Sequence, residues 1–230
     1  LIEQAAGSFV FEPPEAPVPR TILITGFTPF PGAPENPTAE LVKWVQDNKV
    51  SVPNGVRLEA RLLPTEFEAS FAELKAALAE IRPDALLEFG LSAKATGFAL
   101  ECIARNEMAS TLPDNSGFKP EDIYIEGTAP LVLPSGLPLE EISIALATEN
   151  IPHEYSQSAG AYVCNHLFYK TMRVPRGQRP AHAGFIHIPY LEDQRDRLEA
   201  DGRIDPGLEA LSRTQLLTGV EIILKTVAAA

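Results

Sequence analysis

The sequence predicts an α/β protein in which helices cover a mixed, mainly parallel, twisted sheet. Two observations carry that prediction. Short apolar runs recur: TILITGF (Thr21–Phe27), DALLEFGL (Asp84–Leu91) and AHAGFIHIPY (Ala181–Tyr190). They have the length of buried strands and carry Gly or Pro at their ends. Between them stand segments whose apolar residues fall at helical spacing, and strands that alternate with helices favour parallel pairing. The chain is 230 residues long and 45% hydrophobic, enough for a sizeable core, and no long Gly/Ser linker or repeat divides it.

Residues 1–20 stand apart. FEPPEAPVPR holds four prolines and follows neither period, so this stretch is expected to be an extended arm or tail, with one domain over 21–230. Thr21–Phe27 is the first strand. Pro37–Gln46 is a helix, with Pro in its first turn and Leu41, Val42 and Val45 on one face. Arg57–Leu63 reads as a strand, and Glu66–Ile81, with Phe67, Phe71, Leu74 and Leu78 in line, as a helix. Asp84–Leu91 is a buried strand and Phe98–Ala104 one more. Pro113–Pro138, rich in Pro and Gly, reads as loops with a hairpin. Then come a helix over Leu139–Glu149, a helix over Ala159–Met172, the strand Ala181–Tyr190 ending at Pro189, and a long amphipathic helix over Leu208–Val227.

Lys and Arg number 19 against 31 Asp and Glu, a formal net charge of -12. That balance argues against nucleic acid or an anionic membrane as partner and fits a protein acting on something small. No apolar run approaches the ~20 residues of a membrane span. The first residues lack the basic and apolar pattern of a secretion signal. Two cysteines, Cys102 and Cys164, make no disulfide framework, so reduced thiols in the cytoplasm are expected.

Cys164 lies in SAGAYVCNHLFYK, about one turn past Gly160, where a helix is expected to start. It is either a small core residue or a nucleophile whose thiolate the helix dipole stabilises. Of His153, His166, His182 and His187, His166 follows Cys164 by two and points about 200° away on a helix. His187 lies at the carboxyl end of an apolar strand, the end that faces the ligand crevice in open α/β sheets. Glu101 follows Phe98, Ala99 and Leu100; it is either on a solvated face or buried with a partner. A zinc site on His182 and His187 is disfavoured, because a separation of five on a strand points them to opposite faces. GFTPFPGAPENPT (Gly26–Thr38) lacks the spacing of a dinucleotide or phosphate loop. It offers Phe27 and Phe30 as an apolar wall and Asn36 as a polar handle, or is simply a well-packed turn.

Together ILITGFTPFPG…NPT, LPTEF, ECIARN…LPDN, SAGAYVCNHLFY and GFIHIPYLEDQ resemble the pyroglutamyl peptidase I family, the C15 cysteine peptidases, in the family's order from about Thr21 to Arg195. The resemblance implies a single three-layer α/β/α sandwich and a Cys–His–Glu triad of Cys164, His187 and Glu101. It implies removal of N-terminal 5-oxoproline from peptides with a blocked N-terminus, through a thioester and with no metal or organic cofactor. It puts Phe27, Phe30, Asn36, Thr65, Leu112, Tyr162 and Val163 at the substrate pocket, and the oxyanion near the Cys164 N–H. Relatives suggest a homo-oligomer, a dimer or a tetramer. Departures from the family pattern are Leu91 where Gln is common, Thr111 where Arg is common, and Tyr162, whose hydroxyl is expected to enter the pocket. Arg105 is a new Arg nearby, either replacing the missing charge or pairing with Glu101. Cys102 is read as a packing residue. Two other readings stay open: a weak relative that binds a lactam or peptide end without turnover, and a hydrolase of another N-terminal acyl-amino acid.

Overall fold

The computed structural model describes residues 20–121 and 123–230. The expected arm lies outside them apart from Arg20, which already belongs to the first strand. The elements in order are β1 (Arg20–Phe27), α1 (Pro37–Gln46), β2 (Val56–Leu63), α2 (Phe67–Ile81), β3 (Ala85–Leu91), β4 (Phe98–Glu101), β5 (Ile103–Arg105), β6 (Val132–Pro134), α3 (Leu139–Thr148), β7 (His153–Ser156), α4 (Val163–Arg173), β8 (His182–Ile188), β9 (Tyr190–Leu191), α5 (Glu192–Ala200), β10 (Ala210–Leu211) and α6 (Arg213–Ala229).

The six-stranded sheet has the order β2-β1-β3-β8-β4-β7. The first four strands run parallel, β4 is antiparallel to β8, and β7 is parallel to β4. The sheet is therefore mixed and mainly parallel, as the sequence predicts. Alternate residues of each strand feed two cores. Ile22, Ile24, Leu87, Phe98, Leu100 and Ile186 pack under α1, α3 and α6. Leu23, Leu86, Ala183 and Phe185 pack under α2 and α4. This makes three layers, with α5 packed at one end on Tyr190 and Ala33 through Leu198.

Local signals account for most element ends. Asn36 caps α1 by accepting from the Thr38 N–H at 3.1 Å, and Pro37 follows it. Ser212 and Gln215 form a capping box that starts α6 at Arg213, later than the sequence suggests, while Ala210–Leu211 pairs with β9. Three further expectations are corrected. The strand foreseen over Phe98–Ala104 breaks at Cys102: β4 stays in the main sheet and β5 leaves to pair with β6. That pairing replaces a hairpin inside Pro113–Pro138, since β6 reaches back across the long connection to Ile103–Arg105. The cysteine helix begins at Val163 rather than Ala159, because Gly160 holds φ +78°, a left-handed conformation that no helix continues through. β7 and α5 were not foreseen.

Candidate active site

The site is built on one transverse row of the sheet. Gly90 pairs with His187, His187 with Ala99, and Ala99 with Glu154. Directly paired residues share a face, so all four look toward α2 and α4. A cleft of about 580 Å³ opens over this row, and Phe27, Ala99, Glu101, Glu154, Cys164 and His187 all line it.

Glu101 and His187 are both buried, and His187 Nδ1 lies 2.7 Å from Glu101 Oε1. That contact occupies one ring nitrogen and leaves Nε2 for the sulfur. Burial works against the imidazolium. The Cys164 side chain and the Glu101 carboxylate, through hydrogen bonds and charge, overcome it and push the His187 pKa up to about 9. Glu101 Oε2 is buried with no hydrogen-bond partner among the described residues, so the imidazole is the neighbour that offsets this carboxylate's burial.

Cys164 is the second residue of α4, closer to the helix start than the sequence suggests. Tyr162, the N-cap, makes no side-chain cap, so the first N–H groups of the helix carry no side-chain acceptor. They and the helix dipole favour negative charge at the sulfur. Gly90 lies beneath. A Cβ there would stand 3.0 Å from Cys164 Sγ and 2.7 Å from the Phe185 ring. The sulfur therefore has its place only because position 90 carries no side chain.

The first turn of α4 is moored by Asn165, which is fully buried. Its Oδ1 accepts from the Arg105 N–H at 3.0 Å, and its Nδ2 donates to the Arg105 and Glu107 carbonyls at 2.8 and 2.7 Å. The Arg105 guanidinium does not pair with Glu101. Its Nε donates to the Gln157 carbonyl at 3.0 Å and braces the cleft wall.

The aromatic end of the cleft gathers Phe27, Phe30 and Tyr162, with Asn36 and Thr65 beside them. The Phe30 and Tyr162 ring centroids are 5.6 Å apart, and Phe67 meets Tyr162 edge-on at 5.5 Å. Thr65 Oγ1 donates to the Thr28 carbonyl at 2.6 Å, joining the two loops that form this end. The Tyr162 hydroxyl donates to the Pro113 carbonyl at 3.0 Å, so it is engaged by the protein rather than entering the pocket as expected. Leu91 lines the cleft, while Thr111 is exposed. Of the other two expected lining residues, Leu112 is 53% exposed, near Phe30 across Gly32, and Val163 is fully buried in the core under α4. Val163 precedes Cys164 by one helical position, about 100° of rotation, which turns it into the core.

The other histidines are engaged elsewhere. His153 lies 3.0 Å from Ser143 Oγ, His166 Nε2 lies 3.4 Å from Glu68 Oε1, and His182 lines a separate cavity beside the C-terminal end of α4. Among the described residues no three His, Cys, Asp or Glu side chains gather as a metal cluster, and no helix is long and apolar enough to cross a membrane. Sequence reasoning missed Gly90, the mooring by Asn165, and the wall made by 154–158. Only Asn165 had a local signal, a buried-type amide directly after the cysteine.

Comparison with known proteins bears on what such a site does. The family model described as pyroglutamyl peptidase matches residues 20–229. A pyrrolidone-carboxylate peptidase of Gloeobacter violaceus is 36% identical over 204 residues, covering 89% of this chain and 95% of that protein. One from Brevibacillus brevis is 40% identical over 179 residues, covering 77% and 82%. The crystal structure of Bacillus amyloliquefaciens pyroglutamyl peptidase I superposes with a TM-score of 0.80 at 30% identity, covering 92% of this chain and 98% of that one. A mutant pyrrolidone carboxyl peptidase from Pyrococcus furiosus gives 0.81 at 31%, covering 91% and 98%.

Proposed function

Because the chain belongs to the pyroglutamyl peptidase family, we propose that it removes N-terminal pyroglutamate from peptides with Cys164 as nucleophile, His187 as proton carrier and Glu101 as the carboxylate that orients it. The observation that carries this reading is His187, held at Nδ1 by a buried carboxylate while Cys164 acts on the same ring. The thiol proton moves to His187 Nε2, and the thiolate attacks the carbonyl that joins the ring residue to the next one. Negative charge on that oxygen is met by the Cys164 N–H at the start of α4. His187 returns its proton to the leaving amine. Water, activated by the same imidazole, then releases 5-oxoproline from the thioester.

The pyroglutamyl ring is small, flat and neutral. An apolar slot of Phe27, Phe30 and Tyr162 with Asn36 and Thr65 at its side suits it. Its α-nitrogen is an amide in the ring and carries no charge, so the slot needs no carboxylate to receive it. Both cysteines are free, which fits a reducing compartment such as the cytoplasm. Exposed Ile123, Leu131 and Val132 offer a face for a homo-oligomer, which sedimentation velocity tests.

A fluorogenic pyroglutamyl amide should be turned over, and Cys164→Ala should abolish that turnover. Binding of 5-oxoproline without turnover favours a ligand-binding relative, and turnover of other acyl amides alone favours a different hydrolase.

A further inference from the structure

The cleft extends well past the aromatic end. Its floor is the row Gly90–His187–Ala99–Glu154, and Phe27 extends it on β1, two residues beyond the Thr25–Glu88 pair just as Gly90 is. Strands lie about 4.8 Å apart, so this floor runs roughly 19 Å from Phe27 to Glu154, with His187 midway. The aromatic slot lies on the β1 side. Cys164 stands over Gly90. A substrate with its ring in the slot and its carbonyl at Cys164 must send the rest of its chain toward β4 and β7. An extended residue spans about 3.5 Å and one strand spacing is about 4.8 Å, so the first leaving residue sits over His187 and its side chain is free to run across Ala99. Ala99 offers only a methyl group, which leaves that part of the floor low. Glu154 stands one strand beyond Ala99 and so two strands, roughly 10 Å, beyond His187, a gap that only a side chain as long as arginine or lysine closes toward the glutamate's own carboxylate.

We infer that Glu154 is a specificity-determining residue for the leaving side, selecting peptides in which pyroglutamate is followed by arginine or lysine. This rests on the peptidase reading above. Glu154 lines the cleft and is exposed, and it forms no ion pair among the described residues. Its Oε1 accepts from the Thr96 N–H at 3.3 Å, which restrains the carboxylate. Lys94 lines the same end with the opposite sign. Its longer chain has no hydrogen bond to the protein among the described residues, so pairing it costs more side-chain entropy than pairing Glu154. The restrained carboxylate thus sets the preference.

The test compares pyroglutamyl-arginyl, -alanyl and -glutamyl peptide amides by kcat/KM in wild type, Glu154→Gln and Lys94→Met. Wild type should prefer the arginyl over the glutamyl peptide. An exposed pair of this kind is worth up to about fivefold for each sign, so Glu154→Gln should reduce the arginyl-to-glutamyl ratio by roughly tenfold. Raising salt should shrink the wild-type ratio in the same direction. A ratio unmoved by Glu154→Gln, or one set by Lys94→Met instead, overturns the inference while the alanyl peptide is still cleaved. Failure of wild type to cleave the alanyl peptide overturns the peptidase reading and this inference with it.

Discussion

Replacing Glu101 with glutamine keeps the shape beneath His187 and removes the charge. The imidazole pKa is pushed from 6.5 to about 9 by Cys164 and Glu101 against the cost of burial. At about 1.4 kcal/mol per tenfold change in proton affinity, the site favours the imidazolium by roughly 3 kcal/mol. Glu101 acts through a buried 2.7 Å hydrogen bond and shares this with the sulfur. Losing about half moves the deprotonation of His187 down by roughly one pH unit. The thiolate–imidazolium pair is the reacting form, so the alkaline limb of kcat/KM should fall from near pH 9 toward pH 8. The rate at neutral pH should drop by roughly 10- to 100-fold, the loss expected for a charge-assisted hydrogen bond of about 1.5–3 kcal/mol. Stability follows the same linkage. A histidine with a raised folded pKa contributes fully below pH 6.5 and loses that contribution as the pH climbs through about 9. The gap in stability between wild type and Glu101→Gln should therefore close above that pH. The assay is kcat/KM for a pyroglutamyl amide across pH, beside urea denaturation. An alkaline limb that stays within about 0.3 pH of the wild type refutes the argument, because Glu101 then does not hold the imidazolium.

Gly90→Ala would bring a methyl group to 2.7 Å from the Phe185 ring and 3.0 Å from Cys164 Sγ. It should cost about 1–3 kcal/mol of stability and lower kcat/KM at least tenfold while circular dichroism stays native, as read by thermal melts and kinetics. Glu88 is fully buried on β3 with its Oε1 accepting from Thr171 at 2.8 Å, and burial pushes its pKa up from 4.5 to about 8. Its carboxyl form costs nothing extra below pH 4.5, and the cost of holding it grows until about pH 8, so Glu88→Gln should gain on wild type over that range, by up to roughly 5 kcal/mol. A stability difference independent of pH would show that Glu88 is ionised throughout. Cys102 bonds weakly to the Leu100 carbonyl at 3.7 Å and does not line the cleft, so Cys102→Ser should keep activity within about threefold, whereas near-complete loss would give it a part in the chemistry.

The elements legible in the sequence are those whose signals are local. α1 is bounded as expected because Asn36 and Pro37 mark its start within the chain itself. β7 was invisible because HEYS has no apolar pattern: it is an edge strand whose place is decided by pairing with β4. The break at Cys102 carries no Gly or Pro; the chain leaves the sheet there because β6 offers Ile103–Arg105 a partner. The site was legible in the same uneven way. Each of Cys164, His187 and Glu101 allowed a plain packing reading by itself, and the resemblance, not the spacing, joined them.

The structure supplies the physical reason that joining works, and it is a matter of register. Ala99 faces His187 across β4 and β8, so Glu101, two residues on, shares the His187 face. A slip of one residue would turn Leu100 toward the imidazole and send Glu101 into the core under α1, α3 and α6, where no partner waits for a carboxylate. What holds the register is that core: Phe98 and Leu100 are fully buried in it. Burying two such side chains contributes about 1.5–3 kcal/mol each, and a slip would forfeit that and strand a charge as well. The geometry of the candidate triad is thus maintained from the opposite face of the sheet, by residues that never meet the substrate. That is why no reading of Glu101 and its immediate neighbours alone could decide whether it was solvated or paired.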